Sequence, residues 1–380
     1  MWLTVGASLA LSLLGVYAID VADTGRTVQH GLGSMATKQL LFLGVGVCAA
    51  VVVSLPHYRI LSYLSVPLFI GVLLTLVFLL VPFVPAWIVK PRNGARSWIN
   101  VGPVDVQPSE IAKIAFVLVL AGYLRFRENH RRFKGLIPPA LIAAVPVGLI
   151  TLQPDLGTAL LFVPALFAIL VAAGMRLKHL AIIVVAAALA APAAYPLLLP
   201  HQKARIVGLV RQFRGDTSAD RDINMQSVTA QRIIGSGGAA GIGRERAGTL
   251  LKYNPLPERH NDMIFAVIVG RFGLLGGACV LGLYATWVLG ALLTAASTRE
   301  PFGRLVAVGL AAFIAGQVAV NVGMNVGLLP IIGITLPYVS YGGSSLVTVW
   351  MMTGLVFSVA VRKPKSLARH SFEFSHDRAD

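Results

Sequence analysis

Residues 263–293 read MIFAVIVGRFGLLGGACVLGLYATWVLGALL, an apolar run in which Arg271 is the single charge. A bilayer core is crossed by ~20 apolar residues, so this run can span a membrane and has length left to tilt or to project beyond it. The rest of the chain repeats the pattern. Further apolar runs lie at 2–19, 39–54, 60–84, 108–124, 136–152, 157–174, 178–199, 304–328 and 343–361. Of the 380 residues, 56% are hydrophobic and 13% charged, with a mean hydropathy of +0.76. A soluble domain carries ~25% charged residues. The pattern predicts an all-α, polytopic integral membrane protein of about ten transmembrane helices, a single domain over 1–380. Hydrophobicity excludes disorder, and two cysteines exclude a disulfide scaffold. The first run lacks a basic leader and a small-residue cleavage site, so it reads as a first span.

Lys and Arg number 32 against 16 Asp and Glu, a net charge of +16. In a membrane protein this surplus suits cytoplasmic loops and anionic lipid, and no aromatic-basic module stands apart to bind nucleic acid. Ten spans place both termini on one side. Arg59, Arg125, Arg127, Arg131, Arg132, Lys134, Arg176, Lys178, Arg299 and Arg304 fall on that side with the tail's Arg362, Lys363, Lys365, Arg369 and Arg378. The opposite short loops hold only Arg26, Lys38, Lys90, Arg92 and Arg96. Both termini and the tail 362–380 are therefore expected in the cytoplasm, with 200–262 as a long external loop. A second external segment, 329–342, is rich in Pro and Gly and suits a re-entrant or cavity-lining turn. Cys48 and Cys279 lie in apolar runs and read as small core hydrophobes. No internal repeat argues for an inverted-repeat transporter.

Polar residues at the span boundaries carry the candidate chemistry. Pro108 suits the first position of the fourth span, and Glu110 the third, where it can cap free N–H groups. Lys113 shares a face with Glu110 inside the membrane boundary, which points to a cavity, a partner or snorkelling. Asp155 reads either as the cap of the sixth span or as a buried acid near Lys113. Arg96, with Trp98 beside it, sits in an external stretch that by itself would be an aromatic anchor. The glycine run 235–241 has no preceding strand and no following Lys-Ser/Thr pair, so it reads as a flexible turn rather than a phosphate loop. Asp262, flanked by Arg259 and His260, is either a helix cap or a carboxylate placed to take a proton from a sugar hydroxyl.

Six stretches occur in one order: GARSWINVG (94–102), QPSEIAK (107–113), QPDLGTALL (153–161), PERHNDMIFAVI (257–268), GLLGG (273–277) and NVGMNVGLLPIIGITLPYVSYGGSS (321–345). Together they resemble the SEDS family (shape, elongation, division and sporulation). The resemblance implies ten spans and peptidoglycan glycosyltransferase activity on lipid II at the outer face of the bacterial cytoplasmic membrane. It also implies undecaprenyl-diphosphate-linked glycan as co-substrate and a class B penicillin-binding protein as transpeptidase partner, beside other elongation or division proteins. Asp262 matches the family's essential loop aspartate. Glu110, Lys113 and Asp155 match its polar residues within the bundle, Arg96 matches its external arginine, and Arg259 joins them as a substrate-binding candidate. PERH, Met324 and the short termini resemble the elongation (RodA) branch more than the division (FtsW) branch.

The chain departs from the family pattern where two acids usually follow AVI: it reads Val269-Gly270-Arg271-Phe272-Gly273. Ser97 stands where a second basic residue is common. An arginine nine residues beyond Asp262 would sit ~13 Å deeper along a straight helix, so Arg271 is expected to pair with Glu110 or Asp155. No acidic cluster fixes a metal site, and a divalent cation (Mg or Mn) is an expectation of the family alone. Two rival readings are a lipid II flippase, which suits the intramembrane polar residues, and a non-catalytic scaffold, which suits Arg271.

Overall fold

The computed structural model describes residues 1–23, 32–85, 87–89, 91, 95–102, 104–127, 129–197, 200–216, 224–253 and 256–362. Arg26, Lys90, Arg92 and the tail beyond Arg362 lie outside the described residues. The helices are α1 (Trp2–Asp23), α2 (Ser34–Ser54), α3 (Tyr58–Leu80), α4 (Pro108–Leu124), α5 (Ile137–Leu152), α6 (Leu156–Ala173) and α7 (Leu177–Ala194). They continue with α8 (Pro200–Phe213), α9 (Met225–Gly237), α10 (Arg244–Tyr253), α11 (Ile264–Ala296), α12 (Pro301–Asn325) and α13 (Gly343–Val361). An antiparallel hairpin, β1 (Ile99–Val101) and β2 (Val104–Val106), precedes α4. Each expected span has its helix, and the chain is an all-α, multi-pass membrane protein. Among the described residues eight helices are long and apolar enough to cross a membrane. The apolar part of α7 is shorter, and α4 has 17 residues and two charges.

Helix ends follow local chemistry. Pro108 opens α4 and Pro301 opens α12, where a missing N–H costs nothing. Glu300 caps α12 through Gly303 N at 2.8 Å, and Asp155 caps α6 through Thr158 N at 3.1 Å. The helices α1, α4, α11, α12 and α13 supply most of the interior, while α2, α3 and α5 turn much of their surface outward. Lipid gives helices no hydrophobic reason to associate, so hydrogen bonds between them matter. Trp287 of α11 donates to Ser8 of α1 at 3.0 Å, Trp350 of α13 donates to Ser12 at 3.2 Å, and Ser8 bonds Thr353 at 3.0 Å.

The molecule corrects two expectations. Cys48 and Cys279 are exposed rather than core residues. In a membrane the outer surface of a bundle is as apolar as its core, so an apolar run does not say which face is buried. The second correction lies within 200–262, the long segment expected between the seventh and eighth spans, which carries α8, α9 and α10. Its glycine run is no free turn: Gly237 ends α9, and residues 238–242 press into a break in α11 at Gly273, where φ is +71°. Leu274 N donates to Gly238 O at 2.9 Å and Leu275 N to Ala239 O at 3.1 Å, so the loop satisfies the amides that the break frees. Beyond the break, 274–296 alone is ~34 Å long, enough for a full span.

The bundle has two distinct ends. Gln107, Asp155 and Ser344 meet at one: Gln107 N donates to Ser344 Oγ at 3.1 Å, and Gln107 Nε2 to Asp155 Oδ2 at 3.0 Å. Asp262 lies at this end, because Tyr341 N donates to His260 O at 2.8 Å. The opposite end holds Arg125, with its Nε 3.0 Å from Glu300 Oε1, and Arg362, which donates to Ser54 O at 2.7 Å.

Candidate active site

Asp262 lies in a turn, 257–263, that is fastened on two sides. Its carbonyl accepts from Asn321 Nδ2 at 2.8 Å and from Asn325 Nδ2 at 2.9 Å, both on α12. Asn325 Oδ1 accepts from Ala266 N at 3.2 Å, and Asn321 Nδ2 also donates to Ile334 O at 2.7 Å. On the other side the segment 334–341 holds the turn: Ser340 Oγ donates to Asn261 O and accepts from Leu336 N at 2.7 Å. Two residues here have left-handed backbone, Glu258 at φ +52° and Tyr338 at φ +65°. Such strain persists only where the surroundings over-determine it.

The side chain of Asp262 is left for other work. The residue is 6% exposed, and its Oδ1 is buried with no hydrogen-bond partner among the described residues. It does not cap α11: the cap position is Met263, and no side chain bonds there. Burial pushes the Asp262 carboxyl up to about 7; Glu258 raises it further, and its own backbone amide and Arg205 of α8 pull it down. Burial lowers the pKa of His260, Glu258 opposes that effect, and the half-buried Arg259 adds to it. Arg205 also lines a cavity of about 350 Å³ between α8, α9 and residues 329–331, with Gln212, Asn224, Gln226 and Ser227 as its other polar walls.

Inside the bundle Lys113 Nζ lies 2.8 Å from Glu110 Oε1, and Lys113 is 1% exposed. Glu110 therefore pairs with Lys113 in place of capping α4, and Lys113 finds a partner in place of snorkelling. Lys113 also donates to Gln317 Oε1 at 3.1 Å, and Gln317 Nε2 donates to Thr335 O at 2.9 Å. Asp155 caps α6 and also lies within electrostatic reach of Glu110 and Lys113; the residue is half-buried, and desolvation raises its pKa. Gln317, Asn321 and Asn325 recur every four residues on α12. One helix face thus joins the buried Glu110–Lys113 pair to the Asp262 turn. The sequence reading assigned these three no role, although amides at that spacing inside an apolar span were the available signal.

Two candidates stand apart. Arg96 donates to Pro82 O at 3.1 Å and Val84 O at 2.8 Å, so it braces the α3–β1 connection. Ser97 Oγ donates to Gln153 O at 3.2 Å, a contact that suits a small hydroxyl. The expected pairing of Arg271 with Glu110 or Asp155 does not form. Among the described residues Arg271 has no ion pair, its Nε is buried without a partner, and its guanidinium stacks 4.8 Å from the Phe272 ring. The expectation assumed a straight helix in lipid. Arg271 instead sits two residues before the break, beneath the 238–242 turn. Among the described residues no three His, Cys, Asp or Glu side chains converge as ligands.

Comparison with known proteins matches this architecture. The family model for the FtsW, RodA and SpoVE cell cycle proteins covers residues 1–365. The probable peptidoglycan glycosyltransferase FtsW of Thioalkalivibrio sulfidiphilus is 34% identical over 368 residues, 94% of this chain and 88% of that protein. A solved structure of a peptidoglycan synthase complex that coordinates polymerization and crosslinking superposes with a TM-score of 0.79 at 31% identity, over 95% of this chain and 97% of that one. The crystal structure of the rod shape determining protein RodA of Thermus thermophilus gives 0.69 at 29% identity, over 96% and 97%. Relatives from both the division and the shape branches match. With nearly the whole chain matched in sequence and in fold, it belongs to the FtsW, RodA and SpoVE family of cell cycle proteins, the SEDS family that its motifs resemble.

Proposed function

We propose that the protein is a peptidoglycan glycosyltransferase that polymerises lipid II at the outer face of the bacterial cytoplasmic membrane. The observation that carries the reading is Asp262: a buried carboxylate with a free oxygen, held at one end of the bundle and poised near neutral pH. A general base works best with a pKa near the operating pH. Asp262 takes the proton of the lipid II GlcNAc 4-hydroxyl as that oxygen attacks the anomeric carbon of a glycan on undecaprenyl diphosphate. The carbon–diphosphate bond breaks and the diphosphate leaves. Arg205, in the cavity wall and within electrostatic range of Asp262, is the cation best placed for the charge that develops. Arg96 and Lys113 are already engaged and act as positioning residues.

The lipid II flippase reading is weaker because Glu110 and Lys113 form a closed, buried pair rather than lining an open path. A scaffold has no use for an unpartnered buried carboxylate. Orientation follows from charge: the end with Arg125, Arg304 and Arg362 faces the cytoplasm, with both termini, and the Asp262 end faces outward. A class B penicillin-binding protein is the expected partner, since polymer must be crosslinked as it forms. The test is polymerisation of labelled lipid II by purified protein, with and without that transpeptidase. Polymer from wild type and none from a folded Asp262→Asn variant supports the reading, and equal polymer from both refutes it.

A further inference from the structure

We propose that the cleft at the arginine end of the bundle binds the phosphate headgroup of an anionic membrane phospholipid. A cavity of about 350 Å³ opens there between the ends of α4 and α6 and the start of α12. Arg125, Arg127, Arg131 and Arg304 line it, and among the described residues no acid does. The neighbouring carboxylate, Glu300, is already committed: Oε1 to Arg125 at 3.0 Å and Oε2 to the amide of Gly303 at 2.8 Å. Arg127 and Arg304 are exposed and have no carboxylate partner among the described residues. Arg127 is held in place by Tyr123, whose ring lies 4.3 Å from the guanidinium.

Guanidinium forks match phosphate oxygens in pairs. A soluble phosphate would meet the same forks, and the cavity wall decides between the two sources. Phe126 forms part of that wall and is 82% exposed, and Phe133 on the same loop is also exposed. Exposed aromatic rings beside arginines at the end of a membrane bundle sit at headgroup level, where a lipid covers them and a free anion does not. The cleft lies a full α4 length, ~25 Å, from the Asp262 end. The proposal therefore requires only that the bundle spans a membrane, and it stands apart from the glycosyltransferase reading.

The full-length protein in phosphatidylcholine nanodiscs is titrated with phosphatidylglycerol, and bound lipid is counted by native mass spectrometry. Phosphatidylglycerol should be retained in preference to phosphatidylcholine. Arg127→Ala with Arg304→Ala should lower its affinity about tenfold, whereas Lys178→Ala, an exposed cation at the same end outside the cavity, should change nothing. Unfolding in phosphatidylcholine alone shows whether the alanine pair is folded; if it is not, Arg127→Gln with Arg304→Gln must show the same loss. Three results overturn the proposal: no preference for the anionic lipid, an equal loss in Lys178→Ala, or displacement of the lipid by millimolar inorganic phosphate.

Discussion

Replacing Asp262 by asparagine removes a charge and keeps the shape, so it separates the catalytic use of this carboxylate from its energetic cost. A carboxyl that titrates at about 7 when folded and at 3.8 when unfolded holds its proton in the native state over a range where the unfolded chain has lost it. The associated stability is fully present below the unfolded value and is lost as pH rises through the folded one. The interval from 3.8 to about 7 corresponds to about 4 kcal/mol, most of it already lost by neutral pH. The amide side chain of Asp262→Asn does not titrate, and the backbone carbonyl keeps its bonds to Asn321 and Asn325. The variant should match wild type near pH 4 and exceed it by about 4 kcal/mol above pH 7. Denaturant unfolding in detergent at several pH values measures the gap. Polymerisation by the wild type should meanwhile rise with pH through about 7, since the base acts when deprotonated. A stability gap that does not change with pH would refute the burial argument, whatever the variant does to activity.

Lys113→Met should cost ~3–5 kcal/mol by leaving Glu110 buried and unpaired, and adding Glu110→Gln should recover much of that loss; simple additivity of the two in unfolding experiments would deny the pair. Gly241→Ala places a methyl carbon 2.2 Å from Arg271 O at φ +86°, so it should destabilise by about 3 kcal/mol or more, while Gly215→Ala, at φ +74° with open space around it, should cost only ~1–2 kcal/mol. Equal unfolding midpoints for the two would mean that the 238–242 turn does not grip α11. After replacement of Cys48 and Cys279, a cysteine at position 215 should react with an impermeant thiol reagent from outside the cell and one at position 131 should not; the reverse pattern inverts the orientation.

Membrane class, span positions and the Asp262 candidate were legible in the chain, because the bilayer demands long apolar runs and penalises every charge among them. Lys113 announced a partner in the same way, since an ammonium cannot stay alone in that setting. Sequence by itself thus determined that the chain crosses a membrane many times and which polar residues needed explaining. Only the tertiary structure decided the rest. Cys48 and Cys279 faced outward because lipid and protein interior are equally apolar, and periodicity cannot tell them apart. Arg271 escaped its predicted pairing because a break at Gly273 and an inserted loop, two features distant in sequence, set its surroundings. The role of Asn321 and Asn325 depended on a carbonyl some sixty positions away. Hydrogen bonds between segments so far apart leave no local signature, and the placement of Asp262 rests on them.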